Sequence, residues 1–400
     1  MLSNPCRLLL FCATALTLVM PERASAVDWS SLWKRKPAKS RTRQDLETAR
    51  TLSVGEFTGA TGMTAARKMS ERLASHEELR VLDAKAARFL LTGKSVGGRI
   101  DAKLTDREGT AIFERTYAAP GLEDNVKALA DDVLFAVTGR AGMASSQLAF
   151  VSDVSGTKQI YVCDADGSNV EQVTRHPGGA VAPAISPDFL AFTGYSSGFP
   201  NVMLVDMGAG AERRIAGTPG LNSGVAFAPE GRRVALTMSF VGNPEIFVID
   251  LPTSHAVCVT ESMGTPADPA WHPDGRRIIF SSNEGDGPQL FVVESDTEAA
   301  ATKWACGYSF ATDPEWSPDG KQVAFTARLG LDFGVVVKPY PSGSSRVLQK
   351  GGAQHPTWSP DGRSIAYAQN GQLWIQDIVT SKRRSIVNGR GEISEPRWMR

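Results

Sequence analysis

Trp316-Ser317-Pro318-Asp319-Gly320 and Trp358-Ser359-Pro360-Asp361-Gly362 are near-copies of one pentapeptide, and reading them decides the fold. Each sets an aromatic anchor ahead of a Pro and a Gly that make a tight turn. Looser copies occur as Ile185-Ser186-Pro187-Asp188, Phe227-Ala228-Pro229-Glu230-Gly231 and Trp271-His272-Pro273-Asp274-Gly275, and a cut-off copy closes the sequence at Trp398. The anchors at 185, 227, 271, 316, 358 and 398 lie 42, 44, 45, 42 and 40 residues apart. A period of about 40–45 residues with strand-like content predicts a β-propeller.

The residues after each anchor supply the blades. Alternating stretches such as 234–236, 278–280, 323–325 and 365–367 follow the turns, then third strands such as 245–250, 289–293 and 372–375, then a more polar fourth such as 257–260. Residues 147–151, 159–163 and 170–174 give second, third and fourth strands with no first strand, whereas 393–398 give a first strand with no blade after it. Pairing the two ends closes a ring of six blades and leaves no long open edge.

Upstream, residues 51–140 read as a small α/β domain. Strands are expected at 52–57, 79–82, 89–96, 100–105 and 111–117, and a helix at 64–75 capped by Thr64. Val126, Leu129, Ala130, Val133, Leu134 and Val137 recur at helical spacing, and Gly139 supplies the stop. The expected fold class is thus an all-β six-bladed propeller at 147–400 preceded by that α/β domain.

Residues 1–26 read as a secretory signal peptide. Arg7 precedes an apolar run from Leu8 to Met20, and Ala24-Ser25-Ala26 is a small-x-small cleavage pattern ending at Ala26. The run falls short of the roughly 20 residues that span a bilayer, so the mature chain is expected soluble and outside the cytoplasm. Residues 27–50 carry Trp29, Trp33, Lys34, Arg35, Lys36, Lys39, Arg41 and Arg43, and read as a disordered basic arm, either a linker or a contact for a partner. Overall, 43 basic residues balance 43 acidic ones, which argues against the broad positive field of a nucleic-acid binder.

Motifs that suggest chemistry fail on context. Gly194-Tyr195-Ser196-Ser197-Gly198 matches a hydrolase elbow but falls between two blade strands, with no helix after it. Gly93-Lys94-Ser95 lacks the earlier Gly of a phosphate loop, since Arg88 stands there. Asp164-Ala165-Asp166-Gly167-Ser168-Asn169 sits where a blade needs a hairpin turn and lacks the distal Glu of a calcium loop. The five His residues show no i, i+4 pair. Cys163, Cys258 and Cys306 are spaced as buried thiols rather than a disulfide framework. No enzyme and no cofactor are expected.

Superposing the repeats reveals a constellation. Three places before each anchor stand Ala182, Gly224, Asp268, Asp313, His355 and Glu395. On the innermost strands these line the central channel, so Asp268, Asp313, His355 and Glu395 gather on adjacent blades at one mouth. Asn222 and Ser223 join them as candidate partner-binding residues. The cluster reads as a polar socket for a partner or, through Asp268, Asp313 and Glu395, as a cation site; the alternative is rim carboxylates in water.

The signal peptide, the α/β domain ending in a helix and Thr138-Gly139, the stretch Gln147-Leu148-Ala149-Phe150-Val151-Ser152 and the six Ser-Pro-Asp-Gly-type repeats together resemble the TolB family, the periplasmic propellers of the Tol–Pal system. The resemblance runs from about residue 51 to residue 400. Propellers of prolyl-oligopeptidase-like enzymes carry the repeat too, so a gating or accessory module of a periplasmic hydrolase or of peptide or carbohydrate processing is the alternative. The TolB resemblance implies a periplasmic, non-enzymatic scaffold that serves envelope integrity, cell division and protein transport. It also implies a Pal-like lipoprotein bound at the propeller mouth, a TolA-like inner-membrane protein reached through the N-terminal arm, and a monomer working inside a complex. The basic, Trp-containing start departs from the short apolar start usual in that family.

Overall fold

The computed structural model describes residues 50–74, 79–195, 198–240, 242–285, 287–296 and 300–399. The expected signal peptide, its cleavage point at Ala26 and the basic arm as far as residue 49 lie outside the described residues. The chain divides into two compact units, one ending at Gly142 and the other beginning at Met143.

The first unit contains β1 (Thr51–Thr58), α1 (Gly62–Ala74), β2 (Arg80–Val81), β3 (Phe89–Val96), β4 (Arg99–Asp106), β5 (Ala111–Tyr117) and α2 (Leu122–Thr138). The sheet runs β2-β1-β3-β4-β5, with β1 parallel to both its neighbours and the other pairs antiparallel. Apolar stripes of both helices share one core with the sheet, through Met69, Leu73, Val126, Leu129 and Val133 against Leu52, Leu91, Ile100 and Leu104. Gly139 ends α2 at φ 75°, and its N–H donates to the Phe135 carbonyl at 2.8 Å, a left-handed cap that suits glycine. Thr64 is not the cap of α1. That place belongs to Thr61, whose carbonyl accepts from the Ala65 N–H at 3.0 Å while its hydroxyl pairs with Ser95 Oγ at 2.7 Å.

The second unit is a ring of six four-stranded antiparallel blades. Blade one joins the two ends of the propeller: Ile393–Trp398 pairs with Gln147–Ser152, which pairs with Gln159–Asp164 and then Glu171–Gln172. Ile393 lies opposite Ser152, and Trp398 opposite Leu148. The outer strands are shorter than expected: Glu171–Gln172 replaces 170–174 and Ala256–Cys258 replaces 257–260. None of their side chains is fully buried, so burial rewards only a few residues of pairing there.

The repeated pentapeptide works as its chemistry suggests. Trp316 and Trp358 are fully buried. Behind the first, the Ser317 hydroxyl donates to Asp319 Oδ1 at 2.7 Å and accepts from the Gln322 N–H at 3.0 Å, and the Gly320 N–H closes the turn on the Ser317 carbonyl at 2.9 Å. Gly320 sits at φ 70°, where a side chain would be strained.

Candidate functional site

Every innermost strand carries the same defect. In blade five Thr312 pairs with Thr326 and Glu315 with Ala324, which leaves Asp313 and Pro314 facing Phe325 alone. The same two-against-one bulge puts 182–183 against Phe192, 224–225 against Leu236 and 268–269 against Phe280. It also puts 355–356 against Tyr367 and 395–396 against Phe150. All six opposing side chains are buried. A bulge breaks the period-two alternation and re-aims one side chain. The first bulged residue has positive φ in every blade: Ala182 51°, Gly224 68°, Asp268 52°, Asp313 50°, His355 53° and Glu395 52°. A Pro follows five of the six, tolerated because the innermost strand pairs on one side only.

The bulges turn these residues into the channel, where all six line one cavity of about 190 Å³ together with Ser223, Arg397 and their strand neighbours. In ring order the side chains are Glu395, Ala182, Gly224, Asp268, Asp313 and His355. The Ala182 N–H donates to Glu395 Oε2 at 2.6 Å. His355 Nδ1 lies 3.5 Å from Asp313 Oδ1, and the Thr312 hydroxyl donates to Asp313 Oδ2 at 3.1 Å. The Ser281 hydroxyl donates to Asp268 Oδ2 at 3.2 Å. Burial pushes the Asp268 carboxyl up to about 6, helped by the Asp313 charge and opposed by Arg397 and His355.

The cluster therefore lines a half-buried channel, with Asp313 buried and Asp268, His355 and Glu395 partly exposed, and its carboxylates share the cavity with a cation. Arg397 has no counterpart in the ring three places before the anchors. It belongs to a second ring one place before them, Ala184, Ala226, Ala270, Glu315, Thr357 and Arg397. Superposing that position as well would have found it. In this lower tier the Thr357 hydroxyl donates to Glu315 Oε1 at 3.1 Å and accepts from the Trp398 N–H at 3.0 Å, tying three blades together. Arg397 also lines an apolar cavity of about 70 Å³ with Ile185, Phe227, Trp271 and Trp398.

Two sequence candidates are placed elsewhere. Asn222 does not line the cavity: its side chain is buried and donates to the Thr218 carbonyl at 2.7 Å and the Pro200 carbonyl at 3.0 Å. Asp268, Asp313 and Glu395 do not form a metal centre, since among the described residues no three His, Cys, Asp or Glu groups are arranged to hold a metal ion. Glu395 is turned to the Ala182 amide instead.

The other motifs fall where their context put them. The Gly194–Gly198 stretch joins strands Phe189–Gly194 and Asn201–Asp206, with Ser196 itself outside the described residues. Asp164 and Asp166 close their own hairpin, accepting from Asn169 Nδ2 at 2.7 Å and from the Ser168 hydroxyl at 2.5 Å. Cys163 and Cys306 are buried as expected but Cys258 is half-buried, none of the three forms a disulfide among the described residues, and burial, reinforced by Asp164 and Asp166, pushes the Cys163 thiol up to about 12. Among the described residues no helix is long and apolar enough to cross a membrane.

Comparison with known proteins gives a consistent result. Residues 135–400 match the TolB beta propeller domain family. A protein TolB homolog of Chlorobium chlorochromatii is 34% identical over 178 residues, 41% of this chain and 39% of that protein. The Tol-Pal system protein TolB of Desulfotalea psychrophila is 30% identical over 150 residues, 36% of this chain and 34% of that protein. The aligned stretches thus span between a third and two fifths of these relatives. The crystal structure of TolB from Acinetobacter baumannii superposes with a TM-score of 0.70 at 21% identity, over 87% of this chain and 96% of that one, which establishes the shared fold. The chain belongs to the TolB β-propeller domain family.

Proposed function

We propose that this chain is the non-catalytic propeller component of a Tol–Pal-type envelope system, exported to the periplasm, and that it docks a peptidoglycan-associated lipoprotein on the face to which the polar channel opens. The observation that carries the reading is the asymmetry of the ring. Ala182 and Gly224 leave two adjacent ring positions without a charged side chain, and Glu395 and Asp268 flank that gap. Three carboxylates face the single guanidinium of Arg397 there, with His355 beside Asp313. A basic side chain entering over Ala182 and Gly224 meets two carboxylates at once, and the preformed bulges spare it the cost of ordering them.

Docking in this way tethers the propeller to the peptidoglycan layer, which is the physical basis for a part in envelope integrity and cell division. The basic arm at 27–50 is the segment suited to a TolA-like inner-membrane partner. The test is calorimetric titration of the lipoprotein's soluble domain, from the same organism, into the wild type and Glu395→Gln. Loss of a central polar contact is worth roughly 1–3 kcal/mol, so about tenfold weaker binding or more is expected with melting changed by no more than a few degrees. Equal affinity would discard the socket as the docking point.

A further inference from the structure

Blade five departs from the other blades on the channel face. In blades one to four and six the second and third strands are six residues long, as in Arg277–Ser282 and Gln289–Glu294. In blade five they are eight, Gln322–Leu329 and Asp332–Pro339, joined by a two-residue turn at Gly330 and Leu331. Gly330 has φ 78°, and glycine at the first position of such a turn matches the twist of the hairpin. The span from the start of the second strand to the end of the third is 18 residues here as in blades one to four, so it is continued pairing, not added length, that carries paired strand beyond the level of the other strand ends, on the side where the innermost strands begin. From Thr326, which pairs with the neighbour of Asp313, strand rise puts the tip on the order of 15 Å above the socket.

The tip is held by a rigid base. Phe310 and Phe333 lie 5.3 Å apart, and the Arg328 guanidinium stacks over both, at 4.7 Å and 5.7 Å. Leu331 stands above this base with its side chain fully exposed. It is not an isolated case on that side. Among the described propeller residues, Val154, Tyr195, Met263 and Leu331 are exposed large apolar side chains in loops of the channel face, against only Val379 on the opposite face and Val257 on an outer strand. Apolar exposure concentrated on one face marks an interaction surface, and an apolar anchor on a preordered support is how such surfaces concentrate binding energy.

We infer that the blade-five hairpin is the apolar anchor of the docking face, with Leu331 entering an apolar pocket of the partner's folded domain. The inference rests on the reading of that face as the lipoprotein-docking surface. Charge complementarity selects the occupant: the carboxylates of the socket call for a basic side chain, so the partner presents an apolar pocket and a basic group on the order of 15 Å apart. A second copy of this chain would have to bring its own acidic face against these carboxylates.

The test titrates the soluble domain of the Pal-like lipoprotein into the full mature chain as wild type, Leu331→Met, Leu331→Ala and Leu331→Asp. Met should preserve affinity within about threefold, Ala should weaken it about tenfold, and Asp should remove measurable binding. All three should melt with the wild type, because the side chain packs against nothing. Wild-type affinity in Leu331→Ala and Leu331→Asp overturns the anchor while leaving the docking reading intact. No binding by the wild type overturns that reading and the anchor with it. A wild-type dimer by light scattering that Leu331→Asp makes monomeric assigns the hairpin to a second copy and also overturns the inference.

Discussion

The backbone N–H of Ala182 donates a 2.6 Å hydrogen bond to the carboxylate of Glu395, a residue 213 positions later in the chain. The bond crosses from the innermost strand of blade two to that of blade one, which the C-terminus supplies. The same carboxylate is thus a channel-lining charge and a clasp next to the closure of the ring.

Closure can be tested by truncation. Removing residues 392–400 takes away the innermost strand of blade one, buried Ile393 and Trp398, and the Glu395 clasp. Loss of a core element of this size should cost several kcal/mol, so the truncated chain should melt well below the full one. Coincident melting curves would show that the ring does not depend on this strand.

Asp268 makes the stability of the protein depend on pH with a definite sign. Its carboxyl binds a proton more tightly in the folded chain than at its ordinary value of 3.8, with the folded value near 6. Between those values the folded state holds the extra proton, so stability falls as pH rises through about 6 and recovers fully below about 4. Asp268→Asn should therefore stabilise the protein at pH 7.5, by at most about 3 kcal/mol, and lose that advantage toward pH 4. Thermal melts of both proteins across this range check it, and a difference independent of pH would remove the burial argument.

Thr357 is the hinge of the lower tier, with one hydroxyl serving Glu315 and Trp398. Thr357→Val keeps the shape and leaves a buried Trp398 N–H without this partner and Glu315 short of one. Each such loss costs roughly 1–3 kcal/mol, so chemical denaturation should show the variant less stable by about 2–6 kcal/mol. An unchanged midpoint would mean that water replaces the hydroxyl.

Ser196 offers a check on catalysis. In the scaffold reading Ser196→Ala changes neither melting nor partner binding, and neither protein hydrolyses p-nitrophenyl esters. Esterase activity in the wild type that the substitution removes would reinstate a hydrolytic role.

Much of the propeller was legible because its signals are local and repeated. Each Pro-Asp-Gly turn and each buried Trp anchor announces itself within five residues, and the unpaired strands at the two ends leave one way to close. The inward ring was legible for the same reason, since a bulge at a fixed distance from the anchor aims Asp313 and Glu395 alike. What escaped depended on contacts distant in sequence. The amide of Asn222 is spent on the carbonyls of Thr218 and Pro200, the second of them 22 residues away. Arg397 stands one place before its anchor, outside the ring three places before the anchors that the superposed repeats bring out. At the start of α1, Thr61 and Thr64 both suit a cap by residue type, and Thr61, which takes that place, is held by Ser95, 34 residues further on.

Hydrogen–deuterium exchange of the full mature chain, with and without the soluble domain of the Pal-like lipoprotein, tests the docking face most directly. Slowed exchange is predicted in the innermost strands around Asp268, Asp313, His355 and Glu395 and in the hairpin around Leu331, with no change at the Pro-Asp-Gly turns of the opposite face. Protection confined to the turns at 273–275, 318–320 and 360–362, with the channel strands unaltered, would contradict it.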